Sequence, residues 1–188
     1  GSVSFTQLPG LTIGSVDSAN GITAATGVTI DVTGAGRALT VNGGSNISTP
    51  TGGITLTADN LFLNGNLQAA GQRVVLQPAS FGQNIQLGAA DGPGILGISN
   101  SELANITASM LVIGNNISGP IVVASDVSVT GAGVLHLISG SVVVGGAGGI
   151  SVNQLAVEAS SDISLVSPNS NVSTFAAVSN SGSIQFRN

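Results

Sequence analysis

The feature that most restricts how this chain can fold is a recurrence of apolar, x, apolar triplets at a fixed step. Ile121 and Val123, Val142 and Val144, Ile163 and Leu165, and Ile184 and Phe186 are four such pairs, each beginning 21 residues after the last. A second track runs from Val127 and Val129 to Ile150 and Val152 and then to Val172. A third runs from Leu135 and Leu137 to Leu155 and Val157 and on to Val178. An i, i+2 apolar pair marks a short strand with one buried face, because successive side chains point to opposite sides. Three interleaved tracks sharing one period require a chain that winds into a coil whose equivalent strands stack in parallel. The fold expected is therefore all-β: a right-handed parallel β-helix of about 20–21 residues per coil.

The first half follows the same grammar less regularly, in Leu11-Ile13, Val28-Ile30-Val32, Leu39-Val41, Ile54-Leu56, Leu61-Leu63, Val74-Leu76 and Ile85-Leu87. Strand parity turns these aliphatic residues into the bore and sends Asp31, Thr40, Thr55, Gln86 and Ser164 outward. Gly131-Ala132-Gly133, Gly145 to Gly149 and Ser167-Pro168-Asn169 fall between tracks, where corners and positive φ are expected. One stretch departs from strand grammar. Ser99 and Glu102 have the spacing of a capping box, and Leu103 and Ile106 stand i, i+3, so a helical turn is expected near 99–108, within an excursion from the coil spanning about 88–110. Glu102, Leu103, Asn105 and Ile106 are the candidate contact residues. Residues 3–188 read as one domain, with Gly1-Ser2 a cleavage remnant. With no amphipathic helix to cap either open end, the natural protein is expected to continue beyond this segment.

Composition narrows the function. Charged residues make up 6% of the chain, with 3 Lys+Arg against 8 Asp+Glu. The three are Arg37, Arg73 and Arg187, which argues against nucleic-acid binding, since phosphate contacts need clustered cations. Solubility falls instead to 25 Ser, 16 Asn and 14 Thr. Cys is absent, so neither a disulfide framework nor a thiolate metal site is available, and the neutral polar surface fits export. The apolar stretch 129–152 is too glycine-rich and too broken for a membrane span. The six Asp residues are scattered, His136 lies at an outward parity position, and no pair of stacked carboxylates appears, so no metal, no cofactor and no catalysis are expected. Gly145 to Gly149 lacks the Lys and helix of a phosphate loop. Asn46, Asn105, Asn116 and Asn171 match the glycosylation pattern, which abundant Asn and Ser explain by chance.

The segment Glu102-Leu103, Asn105-Ile106-Thr107-Ala108, Leu111-Val112-Ile113-Gly114 and Gly119-Pro120-Ile121-Val122-Val123 resembles the recurring unit of filamentous haemagglutinin-like exoproteins of two-partner secretion. Gly53-Ile54-Thr55-Leu56, Asn60-Leu61 and Gly65-Asn66-Leu67 resemble their generic coil. The resemblance covers residues 53 to 123 and implies a β-helical shaft of a secreted adhesin on a Gram-negative cell surface. Its implied partners are host-cell or bacterial surface molecules, glycans among them, the neighbouring coils of the parent exoprotein, and an outer-membrane transporter engaged through a domain absent here. The alternative is a carbohydrate-active β-helix, either a polysaccharide lyase or hydrolase or a phage tailspike fragment. Three clustered ionisable residues in a groove would mark that alternative.

Overall fold

The computed structural model describes residues 1–188 and is a parallel β-solenoid of about eight turns. Its principal face stacks Val3–Gln7, Val28–Val32, Ile54–Thr57, Leu67–Gln77, Ile106–Asn115, Ala132–Ser139, Ile150–Ala159 and Asn171–Ser179, all parallel. A second face stacks Leu11–Ile13, Ala38–Val41 and Asn60–Leu63. It resumes with Ile95–Ile98, Asn84–Leu87, Ile121–Val123, Val143–Gly145, Ile163–Leu165 and Ile184–Phe186.

Inward positions are filled as parity demands. Ile30, Leu56, Leu76, Ile113, Leu137 and Val157 form one continuous register column, and 42 buried residues from Ile13 to Val172 form a single core cluster. Each fully buried Ile or Leu contributes about 1.5–3 kcal/mol relative to exposure. Thr40, Thr55, Gln86, Ser164 and Asp31 point outward and are half-buried. No helix is long and apolar enough to cross a membrane, and the apolar stretch 129–152 is divided among short strands of successive coils.

Two of the repeat tracks are out by one residue. Ile121 pairs with Val143 and Val143 with Ile163, so Val143 fills the bore while Val142 and Val144 are half-exposed. The step from Ile121 is lengthened by one residue and the next is shortened by one, which a run of three valines conceals. Likewise Leu155 pairs with Phe175 and Val157 with Ala177, leaving Val178 58% exposed beside the column of Ile138 and Glu158. Coil length also varies more than the expected 20–21 residues, with Ile30 standing over Leu56 and Leu76 over Ile113. Corners and one insertion absorb the difference while the strands keep their stack.

Glycines at the later corners serve by clearance and not by positive φ. A Cβ on Gly148 would lie 2.1 Å from the Ser125 backbone, and none of the glycines in 131–133 or 145–149 has positive φ. Gly114 does need the left-handed region, at φ +86, where it ends the Leu111-Val112-Ile113 run.

Candidate functional site

The helical turn forms as Asn100–Ala104, with Ser99 as N-cap and both arms of the capping box present. It is shorter than expected. Ile106 is not on it but opens the next principal-face strand, paired with Leu67, because Asn105 ends the turn and its carbonyl accepts the Leu67 N–H. The excursion narrows accordingly to the residues between Leu87 and Ile106. Within it the chain doubles back and lays the extra strand Ile95–Ile98 parallel to Asn84–Leu87, with Leu96 and Ile98 in the bore.

That extra strand wedges beside Asn60–Leu63 without continuing its ladder. Two N–H groups of Asn60–Leu63 are thereby left without carbonyl acceptors, and buried backbone donors need partners. Side-chain carboxylates replace the missing carbonyls. Asp91 Oδ2 accepts from Leu61 N at 2.9 Å while its Oδ1 accepts from Gly97 N at 2.8 Å. Glu102 Oε1 accepts from Leu63 N at 3.1 Å, and its Oε2 takes the Ser99 N–H at 2.9 Å and the Ser99 hydroxyl at 2.8 Å. Asn105 completes the splice by donating Nδ2 to the Leu63 carbonyl at 2.7 Å.

Of the four candidate contact residues, Leu103 and Ile106 are each 2% exposed, and Glu102 and Asn105 face inward onto Leu63. Asp91, which sequence reasoning did not single out, joins them. An open cleft of about 280 Å³ lies over the splice, lined by Asp91, Glu102, Asn105, Ser99, Ser101 and the outward ring of Phe62, among others. Burial raises the Asp91 carboxyl from 3.8 to about 7. The Gly97 N–H opposes this rise, the neighbouring Glu102 charge adds to it, and the Leu61 N–H opposes it in turn.

A carboxyl whose folded pKa is raised is ionised more readily in the unfolded chain, so its contribution to stability falls as pH rises from about 4 to about 7. Thermal unfolding is therefore expected at higher temperature at about pH 4.5 than at about pH 7.5, with Asp91→Asn flattening the difference. A wild-type Tm that climbs across this window contradicts the assignment. Asp162 behaves oppositely: the Ser183 N–H and hydroxyl hold its carboxyl below the usual range, a contribution lost only on acidification through that lower range.

Asp59 and Asp126, like Asp162, are corner staples. Asp59, 1% exposed, accepts from the N–H groups of Gly36, Ala79 and Ser80 and from the Ser80 hydroxyl, tying three coils together. Asp126 accepts from Gly149 N at 2.7 Å and from the Asn169 amide. Each of Asp59, Asp126 and Asp162 stands immediately before a strand, the sequence signal that could have identified the set. His136 is outward but only 18% exposed. Its Nε2 lies 3.1 Å from Glu158 Oε1 on the next coil, out of line for a hydrogen bond, so the contact is a charge pair that exists when the ring is protonated.

Nowhere do three His, Asp or Glu side chains gather as a metal ion would require. Asn46 and Asn105 are engaged in coil-to-coil hydrogen bonds, whereas Asn116 and Asn171 are exposed. Compared with family models, with curated proteins and with solved structures, the chain finds no match.

Proposed function

We propose that this chain is a rod segment of a secreted, surface-displayed bacterial exoprotein of the filamentous haemagglutinin-like kind, and that its work is reach and adhesion, not catalysis. The observation that carries this reading is the principal face, whose eight strands from Val3 to Ser179 stack in parallel with a single bulge between Ala69 and Arg73. Every coil is hydrogen-bonded to the coils on either side of it and sealed around one aliphatic core, which suits a rod that must stay straight. About eight turns at ~4.8 Å each extend for roughly 40 Å. The outer surface is sparsely charged and rich in hydroxyls and amides, as export and exposure to solvent favour.

The carbohydrate-active alternative needs acids free to protonate or attack a sugar. Asp91 and Glu102 share the splice cleft, yet every one of their oxygens already accepts a backbone N–H, and no third ionisable group lines the cleft. Surface display is tested by labelling intact producing cells with an antibody raised against the exposed turn at Phe81, which is 87% accessible. Labelling without permeabilisation is the expected result. Labelling only after permeabilisation would overturn the reading.

A further inference from the structure

The first four principal-face strands carry a trough floored in part by glycines. In register, the outward column Ser4, Thr29 and Thr55 leads to Val75, and beside it Gly27 and Gly53 lead to Arg73. Further along the rod the positions matching those glycines are held by Met110, Val134 and Gln154. Gly27 and Gly53 carry no side chain into the trough, and a groove of about 420 Å³ opens there, lined also by Thr26, Gln72 and, on the fourth strand, Arg73.

The groups facing this trough are unspent. The hydroxyls of Ser4, Thr29 and Thr55 and the guanidinium of Arg73 make no hydrogen bond within the protein. The chain's single ion pair joins His136 to Glu158, so Arg73 is an exposed cation without a carboxylate on a protein of net charge −5. Stacked hydroxyls repeat at about 4.8 Å along the axis, close to the advance of one pyranose ring in an extended chain. Three such steps span about 14 Å, room for a short oligosaccharide lying along the rod. A guanidinium at the end of the ladder matches a planar carboxylate in two-point geometry. Asp31 stands on the far side of Thr29, two residues along the same strand, so a negative sugar is favoured at the Arg73 end only.

We propose that this trough binds a linear acidic glycan, with Arg73 holding the carboxylate of a uronic or similar acid sugar and Thr29 and Thr55 hydrogen-bonding the ring hydroxyls. The proposal concerns this chain's own surface and holds whether or not the rod belongs to a surface adhesin.

The test is calorimetric titration of the full chain with α-1,4-linked trigalacturonate, its methyl ester and neutral maltotriose, on wild type, Arg73→Gln and the double variant Thr29→Val/Thr55→Val. Circular dichroism should show all three proteins equally folded, since none of the altered side chains has an internal partner. Saturable binding of trigalacturonate is expected, weakened at least about tenfold by Arg73→Gln and severalfold by the double variant, with the ester and maltotriose binding at least about tenfold more weakly. Absence of saturable binding in the millimolar range, binding undiminished in either folded variant, or equal binding of the ester overturns the proposal.

Discussion

Val143→Asp is expected to unfold the protein, whereas Val144→Asp, one residue further on, should change its stability by no more than about 1 kcal/mol. Val143 is fully buried between Ile121 and Ile163, so an aspartate there places a carboxylate in an aliphatic bore with nothing to pair it. Such a group costs well over about 4 kcal/mol, against a total of about 5–15 kcal/mol for a domain. Val144 points outward beside Val122 and Ser164, where water reaches the new charge. Urea unfolding of the two variants separates the registers cleanly. If Val144→Asp unfolds the chain and Val143→Asp does not, the strand sits one residue out of the register described and every inward residue of that coil changes face.

The second large effect is expected at the splice. Glu102→Ala removes the only acceptor of the Leu63 N–H and the partner of the Ser99 N–H, the latter being one arm of the capping box. Each donor so stranded costs about 1–3 kcal/mol, giving about 2 kcal/mol or more in total. The damage should be local. The Leu61 and Leu63 amides should exchange with solvent about a hundredfold faster, while amides of the principal face, whose ladder runs past the insertion between Leu67–Gln77 and Ile106–Asn115, keep their protection. Uniform acceleration across both faces would mean that the insertion is not the separate unit described. Glu102→Gln keeps one carbonyl oxygen and should fall between wild type and alanine.

How legible each part was depended on how many residues carried it. The coil could be read because its signal is distributed: aliphatic pairs recur on three tracks, and chance does not repeat one parity so many times. Register was harder at Val142-Val143-Val144 and at Ala177-Val178, because adjacent apolar residues leave parity undetermined and only the neighbouring coil selects which of them faces inward. The capping box was legible at Ser99 and Glu102, being local. What Glu102 does with its second oxygen was not, since Leu63 lies 39 residues away and its need for an acceptor arises only because Ile95–Ile98 intrudes into the stack. Asp91 had no local signature for the same reason. The corner acids Asp59, Asp126 and Asp162 appeared scattered in the sequence because their common property is a place in the coil, immediately before a strand, and the coil length varies.

All of this rests on aliphatic side chains of successive coils lying directly over one another. The most direct measurement is a methyl NOE spectrum on protein labelled at Ile, Leu and Val. Successive cross-peaks Ile121 to Val143, Val143 to Ile163 and Ile163 to Ile184 are predicted, with spacing near ~4.8 Å and none from Val142 into that column. Cross-peaks that instead join Val142 to Ile121 and Ile163, or the absence of contacts among these four residues, would contradict the stacked solenoid and the reading of function built on it.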